Sequence, residues 1–246
     1  PVIGHPIRQV NSPQWLTQKF EDFGLNAVCI PFEMQSRFLP NFTDFVRVSP
    51  SIGGFLVTIP HKLKIMPLLD ALDPLAETVG AVNFVLKQND KLIGYNRDAY
   101  GFSAALQKLE LSLSGCRILL FGAGGAGRSL LHVLLQAKPE EVVILNRNGN
   151  RFSTICDHSR LTFCTFSDFE PGRFNLFVNA TPLGLKSDDE IPEAIEKSTF
   201  SQIYDVNMPT FENLWQKLAH QRKIPYHSGE DMLRLQLEPM ITKILS

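Results

Sequence analysis

The run Gly122-Ala-Gly124-Gly-Ala-Gly127 carries almost no side chain. Backbone N–H groups left bare in this way, at the start of a helix, bind phosphate. The run is placed for that task. An apolar stretch, Ile118 to Phe121, leads into it, and a helix-compatible segment, SLLHVLLQA, follows. Strand, glycine turn and helix together cradle the pyrophosphate of a dinucleotide. On this reading Gly122 makes the tight turn, Gly124 lets the backbone approach the pyrophosphate, and Gly127 lets the helix pack against the strand. A tight strand-to-helix turn without a ligand has the same spacing.

The residues after the next apolar run indicate which nucleotide. Glu141-Val-Val-Ile-Leu145 reads as a second strand. NAD-binding versions place an acidic residue at its end, roughly 20 residues past the glycines, to hold the ribose 2′-hydroxyl. This chain has Asn146-Arg147-Asn148 there, with Arg151 close behind. A carboxylate would repel a 2′-phosphate, whereas a guanidinium binds one. The expectation is NADP, with solvated loop charges as the plainer account of the two arginines.

Three further motifs are rich in polar groups: VTIPHK at 57–62, AVNFV at 81–85 and GYNRDAYGF at 94–102. Each lies where an apolar run ends, and open α/β sheets place ligands at such ends. Lys62, at an expected helix start, can move a proton if it is partly withdrawn from water. Asp98 is the group to orient it. Spacing alone allows another account, in which Lys62 is solvated in a first helical turn and Asp98 is a helix N-cap.

These motifs need elements to hold them. Apolar runs suited to strands occupy 27–32, 52–57, 82–86, 117–121, 141–145, 174–179 and 202–206. Helical periodicity fits 13–23, 36–47, 67–72, 100–109, 126–137 and 210–221. The alternation predicts α/β layers with parallel sheets. The glycine turn lies near the middle of the chain, so the residues before it form a domain of their own. Val2-Ile3 reads as the tail of a strand that starts before Pro1.

Composition sets the limits. A chain of 246 residues with 44% hydrophobic and 20% charged residues suits a globular protein of one large or two small domains. A net charge of −1 gives no electrostatic reason to bind nucleic acid or an anionic membrane. No apolar run approaches the roughly 20 residues of a membrane-spanning helix. The four cysteines show neither C-x-x-C spacing nor a metal-binding pattern, so no metal and a reducing, cytoplasmic setting are expected.

Taken in order, the motifs resemble those of the shikimate dehydrogenases. They are Gly4…Pro6-Ile7, Ser12-Pro13, Val57-Thr-Ile-Pro-His-Lys62, Gly80-Ala-Val-Asn83, Gly94-Tyr-Asn-Arg-Asp98, Gly122-Ala-Gly-Gly-Ala126, Asn146-Arg147, Asn179-Ala-Thr-Pro-Leu-Gly184 and Gly229…Met232-Leu233…Gln236. The resemblance spans nearly the whole chain. It implies two α/β domains: a substrate-binding domain, 1–100 completed by 226–246, and a Rossmann-type NADP-binding domain, 101–225. It implies interconversion of shikimate and 3-dehydroshikimate, a step of aromatic amino acid biosynthesis. Lys62 and Asp98 take the catalytic positions of the family, and Ser12, Thr58, Asn83 and Gln236 the substrate positions. Gly122, Ala123, Gly124, Gly125, Ala126, Asn146, Arg147, Arg151 and Thr181 take the nucleotide positions, with Met232 beside the nicotinamide.

The departures bear on the substrate. Val10 stands where the family has the first of two carboxylate-binding serines. Phe84 and Arg97 each replace a threonine, and Asp205-Val-Asn-Met-Pro209 is a shortened tyrosine motif. Arg97, beside Asp98, has the donor fork to bind a carboxylate itself, or is an exposed loop residue. The pattern is closer to the shikimate-dehydrogenase-like branch than to the biosynthetic enzyme. Quinate or another hydroxylated ring acid is the alternative substrate, and a nucleotide-binding sensor without turnover is the alternative class. A small-molecule substrate and a monomer or homodimer are expected.

Overall fold

The computed structural model describes residues 1–7, 10–149 and 158–245. The chain divides into two compact units, Pro1–Ala104 with Leu233–Ser246, and Ala105–Met232. Among the described residues each unit is built on a six-stranded sheet. No helix among them is long and apolar enough to cross a membrane.

The first unit opens with β1 (Val2–Gly4), α1 (Ser12–Asp22), β2 (Pro31–Glu33) and α2 (Leu39–Val48). It continues through β3 (Gly54–Val57), β4 (Ala71–Leu72), α3 (Pro74–Val79), β5 (Phe84–Gln88), β6 (Lys91–Tyr95) and α4 (Asp98–Lys108), whose residues from Ala105 on belong to the second unit. The strands lie in the order β2-β1-β3-β5-β6-β4. This sheet is mixed rather than parallel: β5 runs antiparallel to both β3 and β6. The turn at Asn89-Asp90, where φ is +50° and +62°, sets the β5–β6 pairing. Two consecutive left-handed residues make a tight hairpin, so the chain returns at once beside the strand it has just left.

The second unit holds β7 (Arg117–Phe121), α5 (Gly125–Gln136), β8 (Glu141–Leu145), β9 (Leu161–Cys164) and β10 (Arg173–Asn179). It ends with α6 (Glu193–Glu196), β11 (Thr199–Asp205), α7 (Leu214–Arg222) and β12 (Tyr226–Ser228). Helix α8 (Glu230–Leu245) starts in this unit, and its residues from Leu233 on belong to the first. Every strand pair is parallel, in the order β12-β11-β10-β7-β8-β9. The sequence order reverses between β7 and β10. Ligands of doubly wound sheets bind at the carboxyl ends of the strands at such a point. Ile118–Phe121 and Val142–Leu145 are buried at every position, as strands covered on both faces must be.

Strand alternation divides the core of the first unit in two. Leu56, Phe84, Leu86 and Tyr95 pack with Leu16 and Phe20 of α1 and Leu237, Met240 and Ile241 of α8. Phe55, Val57 and Val85 pack on the other side with Leu39, Phe42 and Val46 of α2. In the second unit Phe121, Phe177 and Ile203 face Trp215 and Leu218 of α7.

Several elements differ from the sequence pattern. Of 27–32 only Pro31 and Phe32 are strand, because most of the run is an exposed approach to a sheet edge. The segment 67–72 is a short 3-10 turn followed by β4. Helix α7 starts at Leu214 because Asn213 and Gln216 form a reciprocal capping box there. Tyr226–Ser228 pairs with β11, so residues 226–232 lie in the second unit and not with the first.

The turn after β7 is shaped by two glycines. Gly122 has φ +109°, a conformation that side chains rarely adopt, and a Cβ there would meet Thr181 Cγ2 at 2.7 Å. At Gly127 a Cβ would lie 2.1 Å from the Gly122 carbonyl oxygen, which is backbone and cannot swing away. Helix α5 therefore packs on the turn at bare-backbone distance. Gly127→Ala should force the helix outward and lower the stability of this unit by about 1–3 kcal/mol, in the range of overpacked sites. Urea unfolding measures it, and an unchanged midpoint would refute the close-packing role.

Candidate active site

Lys62 is set by the loop that follows β3. Thr58, half-buried at its start, donates its N–H to Ile3 and accepts from the His61 N–H at 2.9 Å. The His61 ring is fully buried, and its Nε2–H donates to the Met34 carbonyl at 2.9 Å. Its Nδ1 is then the acceptor for the Ser36 hydroxyl, at 3.3 Å. Burial holds the His61 pKa below the ordinary value, so the ring stays neutral in this clamp. The Lys62 carbonyl accepts from the Val82 N–H, which ties the loop to the AVN motif. Lys62 stands in a turn rather than at a helix start.

The side chain of Lys62 reaches Asp98, with Nζ 2.5 Å from Oδ2, and the two are only 13% and 5% exposed. Asp98 is not a helix cap. Asn96 does that work, its Oδ1 accepting from the Ala99 N–H and its Nδ2 donating to the Ala81 carbonyl. The Asp98 carboxylate is left for the site, where Oδ1 accepts from Asn83 Nδ2 at 2.9 Å. Asn83 Nδ2 also donates to Gln236 Oε1 at 2.9 Å, and Asn83 Oδ1 accepts the Arg97 N–H at 2.7 Å. Asn83, Asp98 and Gln236 are all buried.

The structure thus brings together four of the sequence-predicted residues, Lys62, Asp98, Asn83 and Gln236, with Arg97 bonded to them through its backbone. A cation, a carboxylate and two amides converging on one point can hold a polyhydroxylated molecule and move a proton on it. Ser12 is buried at the start of α1. Val10 packs, partly buried, on the cluster that holds Tyr95. Phe84 is a core residue, 2% exposed, with its ring centroid 5.8 Å from that of Tyr95. It fills the interior of the first unit.

The nucleotide residues gather at the reversal point of the second sheet. Gly124 precedes α5 in extended conformation, and Gly125 and Ala126 open the helix, whose first N–H groups have no partner within it. Asn146, just past β8, braces the turn: its Oδ1 accepts the Ala123 N–H at 3.3 Å, and its Nδ2 donates to the Asn148 carbonyl. Arg147 is exposed beside it. Thr181 follows β10, its hydroxyl donating to Asn179 Oδ1 and accepting the Leu183 N–H. These residues fit NADP: bare backbone at the turn, a helix N-terminus for pyrophosphate, and a guanidinium in place of the acidic residue. Met232 is buried in the first turn of α8. Arg151 lies outside the described residues.

One organising residue has no place in the sequence-based list. Asp205, at the end of β11 and fully buried, accepts four hydrogen bonds. The Asn179 side chain and the Asn207 N–H donate to Oδ1, and the Asn213 amide and the Tyr226 hydroxyl to Oδ2. Asn207 and Asn179 then hold the Leu183 carbonyl, so the carboxylate fixes the loop that carries Thr181. The signal was a carboxylate closing an apolar strand, with asparagines on both sides.

The chain is similar to known proteins over nearly its whole length. Residues 2–85 match the family described as "Shikimate dehydrogenase substrate binding domain", and residues 103–172 match "Shikimate / quinate 5-dehydrogenase". The chain is 31% identical over 243 residues to a protein of Caldanaerobacter subterraneus named "Shikimate dehydrogenase (NADP(+))", covering 94% of this chain and 86% of that one. A Geobacter sulfurreducens protein of the same name is 36% identical over 204 residues, covering 75% and 68%. The crystal structure of a Thermus thermophilus shikimate 5-dehydrogenase, in complex with NADP(H) and shikimate, superposes with a TM-score of 0.84 at 28% identity, covering 99% of this chain and 91% of that one. A Peptoclostridium difficile shikimate dehydrogenase shares the fold, with a TM-score of 0.88 at 22% identity and 99% and 90% coverage.

Burial pushes the Asp205 carboxyl up to about 6, against the pull of its four donors. Its unfolded value is about 3.9. Between those values the native state keeps a proton that the unfolded chain has released. This group's contribution to stability therefore falls as pH rises from about 4 to about 6, and is flat above. The side-chain ¹³C resonance of Asp205 should titrate with a midpoint near 6. A midpoint at the ordinary aspartate value would show that the donors outweigh the burial.

Proposed function

The chain belongs to the shikimate dehydrogenase family, and on that premise we propose that it interconverts shikimate and 3-dehydroshikimate with NADP, through Lys62 and Asp98. The observation that carries this reading is the buried network of Lys62, Asp98, Asn83 and Gln236. NADP, when bound, supplies the acceptor for the hydride that leaves the ring carbon. The rest of the work is done by residues of the chain. In the oxidative direction the substrate hydroxyl loses its proton to Lys62 as its carbon loses hydride. In the reductive direction the Lys62 ammonium returns that proton to the oxygen. Asp98 keeps the Lys62 amine aimed at one place, and Asn83 keeps Asp98 aimed at Lys62.

Asn83 and Gln236, with Ser12 and Thr58 nearer the strand ends, bind the ring substituents on this proposal. In the second unit the turn from Gly122 to Ala126 takes the pyrophosphate. Arg147, with Arg151, takes the 2′-phosphate, Asn146 and Thr181 hold the surrounding loops, and Met232 borders the nicotinamide. The first unit is then the substrate-binding domain, and the second the NADP-binding domain.

Lys62→Ala should lower kcat for shikimate oxidation by about 10²- to 10⁴-fold, the usual share of a general acid–base group. NADP affinity, measured by fluorescence titration, should stay within a few-fold. Near-normal kcat in this variant would exclude the role.

Arg147→Ala should weaken NADP by roughly 10- to 150-fold, the equivalent of 1.5–3 kcal/mol for a hydrogen bond to a charged group. NAD binding should change little. Equal losses for the two coenzymes would mean that Arg147 does not touch the 2′-phosphate.

A further inference from the structure

Arg97 is held more firmly than a loop arginine. Its N–H is bonded to Asn83 Oδ1, which fixes its backbone beside the network. Its guanidinium carbon lies 5.2 Å from the centre of the Tyr95 ring. That ring is 6% exposed and is packed in the core among Phe84, Leu237 and Met240. An arginine lying over an aromatic face keeps the N–H groups at its edge available to an acceptor in its own plane. One of them is conspicuous: Arg97 Nε is buried and has no hydrogen-bond partner. Among the described residues no carboxylate forms an ion pair with Arg97.

A buried donor without an acceptor costs roughly 1–3 kcal/mol. Such groups are few in native proteins, and a bound water, an ion or a functional role accounts for them. The charges at the site point to the kind of ligand. Lys62 and Asp98 are paired with each other, whereas the Arg97 guanidinium has no carboxylate of the chain within ion-pairing distance among the described residues. A carboxylate on the substrate brings the missing acceptor and a negative charge for the guanidinium. Val10, packed on the same cluster as Tyr95, offers no competing donor.

We propose that Arg97 is the specificity-determining residue for an acidic substrate, its guanidinium taking the carboxylate of the ring acid while Lys62 and Asp98 act on the hydroxyl. This rests on the dehydrogenase reading above. It adds which residue of this chain recognises the acid function. Arg97 makes no contact with the reacting atoms. Its role is to choose the molecule and fix its orientation.

The test compares shikimate with its carboxamide, which has nearly the same shape and no charge, in the unmodified protein and in Arg97→Gln. The unmodified protein should prefer the acid by at least 30-fold in kcat/KM. In Arg97→Gln that ratio should fall to within about threefold of unity, with most of the loss for the acid in KM. An unchanged ratio in the variant overturns the proposal. So does a ratio near unity in the unmodified protein, a measurement that does not depend on the variant folding. If the unmodified protein fails to oxidise shikimate with NADP, the dehydrogenase reading falls. The acid-to-carboxamide ratio is then read as binding constants by calorimetry, and the same thresholds decide the role of Arg97.

Discussion

The side-chain amide of Asn83 is the joint on which the first unit's site depends. Its nitrogen gives one hydrogen to Asp98 and one to Gln236, and its oxygen takes the Arg97 N–H. Its backbone is bonded on both sides as well, with the N–H to the Tyr95 carbonyl and the carbonyl to the Val57 N–H. The start of β5, the start of α4 and the middle of α8 are thereby held by one residue that is 5% exposed. Removing the amide would strand a buried carboxylate oxygen, a buried glutamine oxygen and a buried N–H together. At roughly 1–3 kcal/mol each, these losses rival the whole margin of a typical domain. The hairpin at Asn89-Asp90 makes the joint possible. Because β5 turns straight back into β6, Phe84 and Tyr95 lie opposite each other, the Asn83 N–H reaches the Tyr95 carbonyl, and Asp98 follows just beyond.

The second unit solves a similar problem with a charge in place of an amide. The loop after β10 lacks regular structure, and its carbonyls need donors that no neighbouring strand supplies. Asp205 collects the amides of Asn179 and Asn213 and the N–H of Asn207, and Asn179 and Asn207 in turn reach the Leu183 carbonyl. The Trp215 indole N–H donates to the same carbonyl. A single buried acid thus fixes the loop that carries Thr181 and the N-cap of α7. The two units position their polar loops by the same means, with hydrogen bonds from side chains at strand ends.

Much of this was legible in the sequence, for local reasons. Steric need at Gly122 and Gly127 acts within one turn, so the residues that could satisfy it stand next to each other in the chain. Continuous apolar runs such as 117–121 and 141–145 gave the parallel core, since a strand covered on both faces tolerates little else. What stayed hidden was long-range or balanced. The pairing of Asn83 with Gln236 joins residues far apart in sequence, and motif resemblance rather than periodicity brought them together. The tight return from β5 to β6 turned on two residues, Asn89 and Asp90, inside an apparent βα alternation. Asp205 looked like the remnant of a shortened motif, because its importance lies in four donors contributed by four separate segments. Phe84, next to Asn83 in the chain, lies in the core, because strand alternation turns neighbouring side chains to opposite faces.

Stability alone is a poor reason for the Lys62–Asp98 pair, and the proton-transfer role proposed for it is a better one. Withdrawing two charges from water costs several kcal/mol per ion, and their mutual attraction repays this only when the geometry is good and further hydrogen bonds complete the shell. A well-packed apolar pair in the same space would serve the fold as well or better. Yet the pair is nearly buried, and around it the chain has assembled the His61 clamp on one side and the Asn83 amide on the other. Both supports fix direction: the clamp sets where the Lys62 loop runs, and the amide sets which carboxylate oxygen faces the amine. Proton transfer depends on direction, because a donor displaced by an ångström no longer reaches its acceptor. The unit carries a costly pair and two buried polar devices to aim it, an arrangement that suits the proton transfer proposed for it.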